Sequence, residues 1–118
     1  MEELLIEKKF TDMMLNAYVY LAQFPKSEKF GLATDMKRSM DLILHKIIEA
    51  KKKYYKKTTL QELDVELDIL RHLIRVAQDK DYYGPNVAPP LSFKKYEYWS
   101  GLLAEIGRII GGYMKYVN

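Results

Sequence analysis

The side chains that could carry chemistry are few and lie on predicted helices. Asp41 and His45 are four residues apart, and so are Asp68 and His72, a spacing that puts both members of each pair on one helix face. The two pairs could in principle ligate a metal ion, as carboxylate and histidine pairs do in helical bundles. The Glu-x-x-His motif of such centres is absent, however, and both histidines lie off the main apolar stripes. We therefore expect no metal site and no cofactor.

Other catalytic classes lack their residues in this sequence. The 118 residues include no cysteine, which excludes thiolate nucleophiles, disulfides and cysteine-ligated zinc. The sequence has no glycine-rich strand-to-helix turn for phosphates, and no arginine has a histidine five residues later, the pair used by one class of helical ribonucleases. We predict a non-enzymatic binding protein with no small-molecule substrate.

The composition is that of one globular domain. Apolar residues make up 48% and charged residues 30% of the chain, which argues against disorder. No apolar run approaches the ~20 residues that span a bilayer, and the N-terminal sequence lacks the layout of a signal peptide. We expect a single domain over residues 1–118, in the cytoplasm and without a membrane partner.

Four stretches have apolar residues three and four apart, the spacing of amphipathic helices. The predicted helices cover residues 3–23, 28–55, 60–80 and 92–115. Ser27 and Ser92 are candidate caps, and Thr59 with Glu62 has the spacing of a capping box. The connection 81–91 contains Gly-Pro and Pro-Pro and is predicted to be non-helical. Since the other connections are short, the sequence predicts an all-α fold, an antiparallel up-down-up-down four-helix bundle.

Each predicted helix has a core face, and two have additional apolar residues. The predicted core residues are Ile6, Phe10, Met13, Ala17 and Leu21; Leu32, Met36, Ile43, Ile47, Ala50 and Tyr54; Leu60, Leu63, Leu67, Leu70, Ile74 and Ala77; and Trp99, Leu102, Ile106, Ile109 and Tyr113. The additional residues are Val65, Ile69 and Val76 on the third helix and Met40, Leu44, Ile48 and Tyr55 on the second. Exposed apolar patches often mark partner surfaces, so these residues predict self-association. The alternative is that they widen the core contact.

The fourth predicted helix contains four of the six glycines. Each costs about 1 kcal/mol relative to alanine inside a helix. Ala104, Gly107 and Gly111 share one arc, which would allow close approach of another helix. The alternative is that Gly111 and Gly112 end the helix in a left-handed cap.

Positive charge is concentrated in the second predicted helix. Residues 37–57 contain eight Lys or Arg and two acidic residues, a balance of +6, against +3 for the whole chain. Arg38, His45, Lys52 and Lys56 align at helical spacing and could follow a phosphate backbone. The predicted nucleic-acid-binding residues are Arg38, His45, Lys51, Lys52, Lys53, Lys56 and Lys57.

Tyr54 and Tyr55 interrupt the lysine run 51–57 and could stack on unpaired bases. The alternative is that lysines near a helix C-terminus interact with its dipole and that Tyr54 lies in the core. On the third helix Asp64, Asp68, Arg71 and Arg75 share one face. Their ion pairs are predicted to be exposed to solvent or to lie between subunits.

Three segments resemble one protein family. Residues 24–32, Phe-Pro-Lys-Ser-Glu-Lys-Phe-Gly-Leu, with Met-Lys-Arg at 36–38, resemble the first hairpin of four-helix-bundle proteins encoded in bacterial ribosomal RNA intervening sequences. Residues 67–77, Leu-Asp-Ile-Leu-Arg-His-Leu-Ile-Arg-Val-Ala, resemble their third helix. Residues 99–113, with Glu-Ile-Gly-Arg and Gly-Gly-Tyr, are most similar to the Avd accessory proteins of diversity-generating retroelements. The sequence departs from the pattern at Tyr113, where tryptophan is common, and in its long third connection.

The resemblance implies a homopentameric barrel of four-helix bundles without catalytic residues. Such a barrel binds the reverse transcriptase of the element and its template RNA during adenine-directed, error-prone cDNA synthesis for mutagenic retrohoming. The motif arginines correspond to Arg38, Arg71, Arg75 and Arg108. Residues expected at a partner or subunit interface are Arg71, Arg75, Gly107, Arg108 and Gly111. The alternative is an intervening-sequence protein of the same fold that binds other nucleic acid, such as ribosomal RNA.

Overall fold

A computed structural model describes residues 2–29 and 31–117, and the side chains of these residues except 2–4, 29 and 82. Phe30, which belongs to the first family-like segment, lies outside the described residues. Within this part of the chain all regular structure is helical. The helices are α1 (Glu2–Leu21), α2 (Lys26–Lys29), α3 (Leu32–Lys52), α4 (Lys57–Ala77), α5 (Lys80–Tyr83) and α6 (Phe93–Met114). The all-α prediction is confirmed.

The four long helices form a bundle of about 50 × 20 × 20 Å. Helix α1 packs against α3 and α6, and α4 packs against the same two helices, so α1 and α4 occupy opposite corners. Ion pairs cross three of these contacts: Lys46 to Glu62 between α3 and α4, Lys51 to Glu7 between α3 and α1, and Lys9 to Glu105 between α1 and α6. The C-terminus of α3 therefore lies beside the N-termini of α1 and α4.

The core faces of α1 and α4 are confirmed, because every residue predicted for them is buried. On α3 the prediction is wrong for three residues, of which Leu32 is half-buried against the core. Met40 is buried and belongs to the core, whereas Tyr54 lies beyond the end of the helix and is 88% exposed. Among the other additional apolar residues, Val65, Ile69, Ile48 and Tyr55 are exposed, and Leu44 and Val76 are half-buried.

The core face of α6 is formed by Trp99, Leu103, Ile106 and Ile110. The predicted residues Leu102, Ile109 and Tyr113 are half-buried beside it, so the predicted face is rotated from the real one. The reason is that α6 has adjacent apolar residues at 102 and 103 and again at 109 and 110. Either member of each pair satisfies the helical spacing, and only packing against α1 and α4 selects between them.

Two predicted helix starts are wrong. Helix α4 begins at Lys57, so Thr59 lies within its first turn, is buried, and does not form the predicted capping box. Ser27 lies inside the short α2, separated from α3 by residues 30 and 31, and does not cap α3. Ser92 does cap α6, because its hydroxyl accepts a hydrogen bond from the backbone N–H of Lys95 at 3.2 Å.

The connection between α4 and α6 is more ordered than its composition predicts. The short α5 occupies its first residues, contrary to the expectation of a wholly non-helical segment. Gly84 has φ of +92°, a conformation that glycine adopts without strain. Leu91 is buried, and its N–H donates to the carbonyl of Ala77 at 3.1 Å. These contacts fix the connection against the end of α4.

Candidate nucleic-acid interface

The outward face of α3 carries the first part of the predicted basic surface. Arg38, His45 and Lys52 are exposed and lie seven residues apart, on the side of the helix opposite its buried face. Arg38 is 3.7 Å from Asp35, and both side chains are largely exposed. Exposed ion pairs of this kind contribute little to stability, so the Arg38 guanidinium remains available to another anion.

The lysines around the end of α3 fall into two groups. The amines of Lys51 and Lys53 form ion pairs with Glu7 at 2.7 Å and Glu49 at 3.1 Å. The hydrogen bond from Lys53 holds the pKa of Glu49 below its ordinary value. Lys52 and Lys57 are exposed and form no ion pair with any described side chain. Their charges are the ones left for a polyanion.

Lys56 has a different position from the one that the helical stripe predicted. It follows the end of α3, and its half-buried amine donates to the carbonyl oxygens of Ala50 and Lys51. These carbonyls belong to the last turn of α3, where helical partners are missing. The amine therefore closes the helix end, and the stripe along α3 stops at Lys52.

Tyr54 and Tyr55 lie in the connection from α3 to α4, residues 53–56. Their side chains are 88% and 77% exposed, and their ring centroids are 4.9 Å apart with an interplanar angle of 84°. This is an edge-to-face pair outside the core. The structure thus contradicts the alternative that placed Tyr54 in the core. The two exposed aromatic rings lie in a connection that Lys52 precedes and Lys57 follows in the sequence.

A second group of cations lies between α4 and α6. The guanidinium of Arg71 pairs with Asp68 at 3.5 Å and lies beside Gly107, where an added Cβ would be 3.5 Å from it. Arg75 contacts the Nδ1 atom of His72 at 3.1 Å. Tyr96 and Ser100, which the sequence patterns did not indicate, line the same groove.

The glycines of α6 are not required by contacts within one chain. The helix continues through Gly111 and Gly112 to Met114, and Gly84 is the one glycine with positive φ among the described residues. The predicted alternative, a left-handed cap at Gly111 and Gly112, is therefore wrong. A Cβ on Gly111 would meet no atom within 4 Å. A contact with another helix at this position stays a prediction.

Of the four residues considered for a metal site, Asp41, Asp68 and His72 have other partners, and His45 is exposed on α3. The Asp41 carboxylate accepts a hydrogen bond from the Tyr18 hydroxyl at 2.7 Å, and Asp68 pairs with Arg71. Burial, this hydrogen bond and the charge of Asp41 raise the pKa of Tyr18 to about 12. Among the described side chains, no three His, Cys, Asp or Glu residues are grouped as a metal ion would need.

Comparison with known families agrees with the family-like segments. A family model described as bAvd-like matches residues 4–117, nearly the whole chain. The chain belongs to the bAvd-like family. Neither a curated protein nor a solved structure matches it. In the described part of this bAvd-like chain, no helix combines the length and the apolar character needed to cross a membrane.

The position of Lys56 leads to a stability prediction. We expect Lys56→Met to lower the free energy of unfolding by about 1.5 kcal/mol, because it removes a charged, half-buried donor from the carbonyls of Ala50 and Lys51. Lys57→Met is the matched control, since the Lys57 side chain is exposed, and it should leave stability unchanged. Urea unfolding followed by circular dichroism, at one protein concentration, measures both. Equal stability of the two variants would contradict the assigned role of Lys56.

Proposed function

We propose that this chain is a non-enzymatic accessory protein of a diversity-generating retroelement, acting in the cytoplasm. It binds the reverse transcriptase of the element and its template RNA, and supports mutagenic cDNA synthesis and retrohoming. The observation that carries this proposal is membership of the bAvd-like family over residues 4–117. We assign three parts of the surface to RNA, to other copies of the chain and to the polymerase.

The RNA-binding part is the basic surface of α3 and the connection after it. Arg38, His45 and Lys52 are exposed along one face, and Lys57 lies just beyond the helix end. RNA binding here would release counterions, so affinity should fall as salt rises. Of the other predicted lysines, Lys51 and Lys53 form ion pairs and Lys56 bonds the last turn of α3. We therefore assign them a structural role and not a direct contact with RNA.

Self-association is supported by two exposed apolar pairs on opposite corners of the bundle. Leu15 and Val19 on α1 are 64% and 66% exposed, and Val65 and Ile69 on α4 are 58% and 44% exposed. Each pair is spaced four residues apart and therefore lies along one helix face. A contact between the α1 pair of one copy and the α4 pair of the next is head-to-tail, the type that closes into rings. This arrangement suits the homopentamer that the family resemblance implies.

The polymerase contact is assigned to the face between α4 and α6. Arg71 and Arg75 of α4 line this groove, and Gly107 of α6 lies beside the Arg71 guanidinium, while the motif arginine Arg108 is exposed on α6. Since α3 provides the RNA surface, this second basic face is available to a different partner. The planar guanidinium group of arginine can form two parallel hydrogen bonds with a carboxylate, so this face could bind acidic side chains on the polymerase.

A binding assay with the reverse transcriptase encoded beside this gene tests the proposed function. The wild-type chain should co-elute with the polymerase and with template RNA, and cDNA synthesis on that template should require it. Charge reversal at Arg71 and Arg75 should reduce polymerase binding at least tenfold, since both guanidinium groups line the groove between α4 and α6, while RNA binding persists. Lys26→Glu, an exposed reversal on α2, is the control. Polymerase activity independent of this chain would contradict the proposal.

The assembly is tested separately by native mass spectrometry. We expect a particle of five chains, and we expect the Val65→Glu and Ile69→Glu double variant to be a monomer with unchanged helical circular dichroism. Burying a carboxylate in an apolar contact is costly enough to prevent assembly. Val87→Glu, at an exposed valine in the connection before α6, should assemble normally. A monomeric wild-type chain of 13.9 kDa would rule out the proposed ring.

A further inference from the structure

We propose that the connection between α3 and α4 is a binding site for single-stranded RNA, in which Tyr54 and Tyr55 stack on unpaired bases. The proposal rests on the proposed function for the choice of RNA as the polyanion, and it adds the location, the strandedness and the contact chemistry. The two tyrosines lie outside the three family-like segments of the sequence and are not among the motif arginines, so neither of these assigns them a role.

The exposure of the two rings is the first observation. An aromatic side chain gains most of its stabilisation from burial, yet these two rings are 88% and 77% exposed. In an edge-to-face pair, the edge of one ring covers a single face of the other. At least one face of each ring is therefore not covered by its neighbour. Such faces bind bases without regard to sequence, because every base has a π-face.

The charges on both sides of the rings are the second observation. Lys52 precedes the tyrosines and Lys57 follows them, and neither forms an ion pair with a described side chain. A strand whose bases stack on the rings can place phosphates beside these amines. Aromatic rings between available cations are the combination by which single-stranded nucleic acid is bound.

The fixed position of the connection is the third observation. The N–H of Lys53 donates to the carbonyl of Glu49 at 2.9 Å, and the Lys56 amine bonds the last turn of α3. The carbonyl of Lys56 in turn accepts from the N–H of Leu60 at 2.9 Å, within the start of α4. Both ends of the four-residue connection are therefore anchored. An anchored pair of rings loses less conformational entropy on binding than a mobile one.

Stacking on the rings requires an unpaired base, and this distinguishes single strands from duplexes. The bases of a duplex are already stacked on each other, so a duplex can use only the phosphate contacts of the lysines. The site should therefore bind a single strand more tightly than a duplex of the same length. Removing the rings should abolish that difference and leave the electrostatic contribution.

The test is fluorescence anisotropy with a labelled U-rich single-stranded RNA and a labelled RNA duplex, over a range of salt concentrations. The Tyr54→Ala and Tyr55→Ala double variant should bind the single strand about tenfold or more weakly, and the duplex as the wild type does. Its dependence on salt should be unchanged, because no phosphate contact is lost. Lys52→Gln with Lys57→Gln should instead lower the logarithmic salt slope by about 0.7 for each contact removed.

Three controls separate stacking from other effects. The Tyr54→Phe and Tyr55→Phe double variant should keep the affinity of the wild type, because phenyl rings also stack. Tyr98→Ala removes another exposed tyrosine, with Lys95 6.0 Å from its ring centroid but at the far end of the bundle, and should have no effect. Helical circular dichroism should be the same for all variants, since the substituted rings lie outside the core.

Several outcomes would overturn the inference. Wild-type affinity of the double alanine variant would show that the rings do not contact RNA, while leaving salt-dependent RNA binding and the proposed function intact. If the double alanine variant lost the same affinity for the single strand and for the duplex, the rings would not select unpaired bases. Loss of reverse transcriptase binding with RNA binding unchanged would assign the connection to a protein contact. If the wild-type chain bound neither the single-stranded RNA nor the duplex, RNA binding as part of the proposed function would itself be contradicted.

Discussion

The end of α3 at Lys52 determines the character of the basic surface. If the helix continued, Lys52 and Lys56, and likewise Lys53 and Lys57, would stand four residues apart and repel each other. Tyr54 would then continue the apolar stripe into the core. Instead Lys53 is extended, and the Lys56 amine binds the last carbonyls of the helix. The helix ends with these hydrogen bonds, and both tyrosines are exposed in the connection that follows.

The bundle gives each helix a different exposed surface. Ion pairs from Lys51 and Lys46 cross the contacts of α3 with α1 and α4, so these two amines are directed toward the neighbouring helices, whereas Arg38, His45 and Lys52 are exposed on the outward face of α3. Exposed apolar pairs lie on α1 and α4, at opposite corners. The arginines of α4 lie beside the small residues of α6. A chain with three chemically distinct surfaces on one small bundle is suited to hold several partners together, which is the role proposed here.

Most of the fold was predictable because the apolar stripes of α1 and α4 are unambiguous. On α6 the doubled apolar positions, such as Leu102 with Leu103, leave the face undetermined until neighbouring helices are in place. The candidate site was less predictable. The lysines and tyrosines of the site are evident from the sequence. The apolar spacing of α3 continues to Tyr54, however, whereas the helix itself ends at Lys52. Where the helix ends depends on a side-chain contact by Lys56, which no periodicity records.

The central claim is that RNA meets this protein at the anchored connection between α3 and α4. Photo-crosslinking of the wild-type assembly to an RNA containing 4-thiouridine, followed by mass spectrometry of the linked peptides, tests it most directly. We expect crosslinks at Tyr54 or Tyr55 that are suppressed by high salt and by an excess of unlabelled single-stranded RNA, but not by an excess of duplex. Crosslinks confined to the face between α4 and α6, with none in residues 52–57, would contradict it.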